Sequence, residues 1–180
     1  MQVCLVFESL FGNSRDIAEA IAAGYRGSRP DDTFTLVNVL RAPTDPDADL
    51  LIAGGPTHEF SMSRPTSRAQ RDRHVTTDAV RAVVAELPDA DTGPGIREWL
   101  DSLAPARPTL AATFDTRATS SLPMPRRAAR AMSKRLTALG YRMAVPPTGF
   151  LVGGVTGPLV DGELDRARAW GAELAGVVGG

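Results

Sequence analysis

The sequence predicts a doubly wound α/β domain, with parallel strands covered by helices on both faces. Three observations predict it. Five short apolar runs alternate with segments of helical period along the chain. The interior runs, such as "DLLIA" at 49–53 and "PTLAATF" at 108–114, are apolar on both faces, as strands buried on two sides must be. The first run, 2–7, passes through "SLFGNS" at 9–14 straight into an alanine-rich stretch. Such strand-to-helix corners belong to right-handed crossovers between parallel strands.

The elements follow in order. Residues 2–7 form the first strand, and in 14–26 Ile17, Ile21 and Tyr25 recur every four residues, marking one helical face. Asp31 and Asp32 fit a turn, and 33–39 reads as the second strand. The third strand is 49–53. From about 55 to 92 the connection is too long for an ordinary crossover, so it is either a functional lid or disordered. It carries a helix at 78–87, with Val80, Val83, Val84 and Leu87 on one face, preceded by the polar, non-periodic "SMSRPTSRAQRDRHVT". The Arg-rich insertion proper spans about 62–90. In 93–103, Ile96, Trp99, Leu100 and Leu103 follow helical spacing; 108–114 is the fourth strand. In 125–139, Ala128, Met132, Leu136 and Leu139 form an apolar stripe. The last strand, 141–152, is interrupted by Pro146 and Pro147, and a closing helix spans 161–177. There Asp161 caps the start, and Leu164, Ala167, Gly171 and Leu174 face inward. No repeat or linker divides the chain, so 1–180 is read as one domain.

At 180 residues and 43% hydrophobic, the chain has the size and composition of a single soluble domain. No apolar stretch approaches the ~20 residues that cross a bilayer, and the start lacks the marks of a signal peptide. A cytoplasmic protein without membrane insertion is expected. The single Cys4 excludes an internal disulfide framework and reads as a buried apolar residue. His58, His74, Met62 and Cys4 show no metal-ligand spacing, and no metal is expected. A net charge of −1 gives no reason to expect nucleic acid. Charge is nevertheless uneven. Five Arg face two Asp over 64–81, and 117–135 holds six basic residues and no acid.

In a doubly wound sheet, ligands gather beyond the carboxyl ends of the strands, near the switch point. The relevant segments begin "ESLFGNS", "GGPTHEFS" and "FDTR". The first lacks the Gly-Lys-Ser/Thr ending of a nucleotide P-loop and the three spaced glycines of a dinucleotide loop. What remains is a tight turn carrying Ser9, Asn13 and Ser14 at a helix N-terminus, where unpaired N–H groups favour an anion. Such a nest of neutral donors suits a terminal phosphate. The same residues also fit plain helix capping, by Asn13 with Asp16 three positions on. Placement after the first strand favours the phosphate.

At this point the sequence resembles the flavodoxin-like family. "SLFGNS" matches the family's Thr/Ser-x-x-Gly-Asn-Thr/Ser fingerprint at Ser9, Gly12, Asn13 and Ser14. "GGPTHEF" looks like its Gly-x-Pro-Thr turn after the third strand, and "FDTR" is similar, more weakly, to a flavin-contacting loop after the fourth. The likeness covers the chain apart from about 62–90. It implies a flavodoxin-like, five-stranded parallel sheet of order 2-1-3-4-5 and a non-covalently bound flavin mononucleotide (FMN). Ser9, Leu10, Phe11, Gly12, Asn13 and Ser14 would form the first cofactor loop. Within it Ser9, Gly12, Asn13 and Ser14 would hold the phosphate, with Phe11 towards the ribityl chain. Pro56, Thr57, His58, Glu59 and Phe60 would border the ring, as would Phe114, Asp115, Thr116 and Arg117. No Trp or Tyr lies in these loops, which leaves Phe11, His58, Phe60 and Phe114 as substitutes for the family's flanking aromatics.

The expected function is that of an FMN-binding redox protein, either carrying electrons or reducing a small molecule as an oxidoreductase. Its partner is then a redox protein or a small-molecule electron donor or acceptor. The alternative is a non-redox binding or regulatory module of the same fold with a weak or vacant flavin site. Arg117, with Arg64 and Arg68, is expected near the ring against Glu59 and Asp115. A reduced flavin is therefore not expected to be strongly destabilised. That favours an oxidoreductase, or a quinone- or porphyrinogen-type partner, over a low-potential shuttle. The run "PRRAARAMSKR" at 125–135 is either a solvated helix face or a docking patch for an acidic redox protein or an anionic substrate. His74 is expected to be exposed and without chemistry, and Trp99 and Trp170 to serve packing.

Overall fold

The computed structural model describes residues 1–58, 60–104, 109–119 and 127–179. The strands are β1 (Gln2–Phe7), β2 (Thr33–Asn38), β3 (Leu50–His58), β4 (Ser61–Met62), β5 (Leu110–Ala118), β6 (Arg142–Met143) and β7 (Thr148–Val152). The helices are α1 (Asn13–Ser28), α2 (Pro65–Arg68), α3 (Asp78–Ala85), α4 (Ile96–Ser102), α5 (Ala128–Ala138) and α6 (Glu163–Gly179). The sheet runs β2-β1-β3-β5, and β6 and β7 share the edge beside β5. Every pairing in this path is parallel; only β4 folds back on β3 as a short hairpin. The five positions reproduce the expected order 2-1-3-4-5. Pro146 and Pro147 split the edge strand because proline has no N–H for the ladder.

Two strands are longer than the sequence suggests. The third was expected to end at 53 and the fourth at 114, but β3 continues to His58 and β5 to Ala118. Gly54, Gly55 and Pro56 pair with Phe114, Asp115 and Thr116. The pairing overrides the poor strand propensity of "GGP". Residues expected in loops therefore sit on rigid strand ends.

Each sheet face carries its own core. On one, Leu5, Ile52 and Phe114 pack under α1 and α6, with Ile17, Ile21, Tyr25, Trp170 and Leu174. On the other, Val6, Leu51 and Ala53 pack under α4 and α5, with Ile96, Trp99, Leu100, Met132 and Leu136. Helices α1 and α6 touch through glycine: a Cβ on Gly171 would lie 2.1 Å from the Ile21 carbonyl oxygen. Leu164, expected inward, is exposed on the first turn of α6, outside the stripe formed by Ala167, Trp170, Gly171 and Leu174.

The helix expected at 78–87 is present as α3, and its apolar face leads to Leu87, which is buried just beyond its end. No residue of α3 is buried. Two arginines serve as anchors instead. Arg68, 2% exposed, pairs with Glu98 at 3.0 Å and donates to Ser63 and to the Gly93 carbonyl. Arg71 pairs with Asp91 at 2.8 Å and donates to the Leu87 carbonyl. Beneath them lies Glu8, whose carboxylate accepts from the Ser63 hydroxyl and the Ile96 N–H. Burial pushes the Glu8 pKa up, against those two hydrogen bonds and the charge of Arg68.

Candidate functional site

A cavity of about 280 Å³ opens beyond the carboxyl ends of β1, β3, β5 and β7. Its floor is the corner between β1 and α1. Gly12 makes that corner with φ 84°, a conformation L side chains rarely adopt, and a Cβ there would also lie 2.9 Å from Val83 Cγ1. Gly12 is also the N-cap of α1, and no side chain caps the helix. The capping alternative for Asn13 is thereby overturned: its amide donates to the Thr156 carbonyl at 3.2 Å, tying the corner to the turn after β7. Among the described residues, no side chain caps the first N–H groups of α1.

Two hydroxyls flank this helix start. Ser14 Oγ shares a 2.7 Å hydrogen bond with Thr116 Oγ1. Ser9 is 2% exposed, and its buried hydroxyl has no partner among the described residues. An unsatisfied buried hydroxyl is costly, and in a folded protein it calls for an explanation. No Asp or Glu lies among the described residues lining the cavity, whereas Arg71, Arg117, His58 and His74 do. Chemically, the arrangement suits an oxyanion.

The expected site residues divide clearly. Ser9, Leu10, Phe11, Asn13 and Ser14 line the cavity, as do Pro56, Thr57, His58, Thr116 and Arg117. Thr57 is fixed by its Oγ1, which accepts from the N–H of Ala128 at the start of α5. Phe114 is placed differently. It is wholly buried against Phe150 and Trp170, filling the space that Gly54 leaves open, because inward positions of β5 point at the α1–α6 core. Asp115 is also fully buried, accepting from the Ala129 N–H at 2.9 Å and pairing with Arg117 at 3.1 Å. Burial pushes its pKa up; the Ala129 N–H and Arg117 oppose that shift. Phe60 has φ 65° and is 61% exposed at the tip of the β3–β4 hairpin, outside the cavity lining. Glu59 lies outside the described residues. Arg68, expected near the cavity, is turned into the Glu98–Ser63 network, and Arg64 is exposed at the start of α2.

Other cavity residues carried no signal in the sequence. Ser67, Gln70, Arg71 and His74 come from the insertion; Val152, Gly154 and Val155 come from the end of β7. His74 is exposed, as expected, yet it also lines the cavity and meets the Phe11 ring edge-on at 6.2 Å. Cys4 is buried, which pushes its thiol pKa up to about 11.

This architecture recurs among solved structures. An archaeal flavodoxin superposes over 100% of both chains with a TM-score of 0.64 at 16% identity. The fold is the flavodoxin fold. A short-chain flavodoxin associated with a non-canonical PDU bacterial microcompartment matches 98% of this chain and 97% of its own, with a TM-score of 0.63 at 8% identity. Oxidised flavodoxin 2 from Bacillus cereus matches 98% and 99%, with a TM-score of 0.59 at 12% identity. No protein-family model and no curated protein matches the sequence. Among the described residues, no helix is long and apolar enough to cross a membrane.

Proposed function

We propose that the protein binds FMN in this cavity and acts as a redox protein, carrying electrons or reducing a small molecule. The observation that carries the proposal is the partnerless Ser9 hydroxyl beside an uncapped helix start, in a cavity without a described carboxylate. A phosphate monoester supplies the acceptors those donors lack. Ser9, Ser14 and the N–H groups of the Gly12 corner would hold it, with Thr116 buttressing Ser14. Pro56, Thr57, His58 and Arg117, on paired strand ends, would border the ring. A bound flavin supplies reversible electron transfer, and the protein supplies orientation and electrostatics.

The electrostatics favour the oxidoreductase side of this reading. Asp115 is turned inward onto Arg117 and the α5 N-terminus, so its charge is compensated away from the cavity. Negative charge on a reduced flavin would then meet neutral donors and the Arg117–Asp115 ion pair, with no described carboxylate lining the cavity. The second reading, a non-redox module of the same fold, draws on the aromatics. Phe114 and Phe60 do not line the cavity, which leaves Phe11, His58 and His74 as its aromatic rings among the described residues. One experiment separates the two. A visible spectrum of fresh protein, repeated after adding FMN and removing the excess, should show retained flavin absorbance. Protein that stays colourless supports the module.

A further inference from the structure

The insertion packs directly on the corner that opens the cavity. Leu87 and Ala90 cluster with Leu10, and Phe11 and Val83 lie against them. Arg15, in the first turn of α1, pairs with Glu86 at 2.9 Å. The insertion thus forms a wall beside the first loop, and the residues it turns to the cavity, Ser67, Gln70, Arg71 and His74, are all polar and include no acid.

Arg71 is the unusual member. Its side chain is 9% exposed. The Leu87 carbonyl takes one of its terminal nitrogens and Asp91 the other, both within 3 Å. Its Nε, like that of Arg68, is buried without a hydrogen-bond partner among the described residues, with a carboxylate oxygen of Asp72 3.8 Å away; Arg71 differs from Arg68 in lining the cavity. Anchoring the insertion uses two of three nitrogens, which orients the guanidinium without exhausting its five donors. Arg68, the other anchor, does not line the cavity, so the anchoring role alone does not require a cation there. His74 is held against the Phe11 ring at the same end.

We infer that Arg71 and His74 recognise the ligand's phosphate, so that the insertion adds a cationic wall to an otherwise neutral nest. This rests on reading the cavity as an FMN site. A guanidinium makes a charge-assisted hydrogen bond to phosphate, stronger than a hydroxyl's; an imidazole N–H adds a further donor, and both act on the phosphate alone. Riboflavin, which lacks the phosphate, should be indifferent to both residues.

The test titrates the full chain with FMN and with riboflavin, following flavin fluorescence, and reads the ratio of the two affinities. Arg71→Gln should lower that ratio about tenfold and His74→Gln several-fold, with riboflavin affinity nearly unchanged. Variants that weaken both flavins equally, or neither, overturn the inference. Should Arg71→Gln fail to fold, His74→Gln, at an exposed position, decides alone. Should the unaltered protein bind no flavin, the FMN reading fails, and inorganic phosphate becomes the probe. Thermal stabilisation by phosphate that His74→Gln abolishes would preserve the cationic wall; no response to phosphate would remove it too.

Discussion

Replacing Gly12 by alanine tests the geometry of the corner on which the site depends. At φ 84° and ψ −32° a residue with a Cβ pays about 1–2 kcal/mol in backbone strain. The new methyl also meets Val83 Cγ1 at 2.9 Å, well inside the ~3.5–4.0 Å of a relaxed carbon contact. Because α3 buries none of its residues, it can yield, and the overlap should cost about 1 kcal/mol, the low end for overpacking. The sum is about 2–3 kcal/mol. At roughly 2–4 °C per kcal/mol for a domain of this size, the ligand-free variant should melt about 5–10 °C lower. Urea and thermal unfolding of Gly12→Ala, alone and combined with Val83→Ala, separate the two contributions. Measured against the Val83→Ala single variant, Gly12→Ala should cost about 1 kcal/mol less, the contact part being absent and the backbone part kept. A single variant within ~0.5 kcal/mol of the unaltered protein would refute the reasoning, since that is the range of substitutions with no structural mechanism.

Three further outcomes follow from buried groups. Phe114→Ala should cost about 3–5 kcal/mol of stability in urea unfolding while leaving the flavin affinity of the folded fraction within about twofold; intact stability with lost flavin binding would return Phe114 to the cavity. Glu8 holds its proton more tightly folded than unfolded, so its contribution is full below the ordinary glutamate value of about 4.3 and declines as pH rises through the raised folded value. Relative to Glu8→Gln, which cannot titrate, the unaltered protein should lose stability over that rise, and a pH-independent difference would contradict the burial argument. Asp32 has the opposite sign: Arg29, the amino terminus and the Tyr25 hydroxyl hold its carboxyl far below the usual range. Its stabilisation is present above about pH 3.9 and lost as pH falls below that, so Asp32→Asn should be less stable near neutrality and converge on the unaltered protein in acid.

Local patterns made much of the fold legible. The run at 2–7 and the four-residue spacing of Ile17, Ile21 and Tyr25 appear as β1 and α1, and Pro146 and Pro147 mark the break between β6 and β7. What stayed hidden depends on pairing across the chain. The ends of β3 and β5 exist because Gly54–Pro56 and Phe114–Thr116 form a ladder, and a stretch reading "GGPTH" carries no such signal. The same ladder turns Phe114 into the core. In the insertion, Arg68 and Arg71 resemble solvated charges because their partners, Glu98 and Asp91, lie 20 or more residues away. At the candidate site, the fingerprint residues from Ser9 to Ser14 were legible because one corner holds them together. The wall of Ser67, Gln70, Arg71 and His74 was not, since only tertiary folding brings it there.

The most direct test of the central claim is calorimetric titration of the full chain with FMN, beside riboflavin and buffer. Saturable binding of one FMN per chain is expected, tighter than riboflavin, with the difference arising at the phosphate. Heats no larger than dilution for FMN, or equal affinity for both flavins, would contradict it.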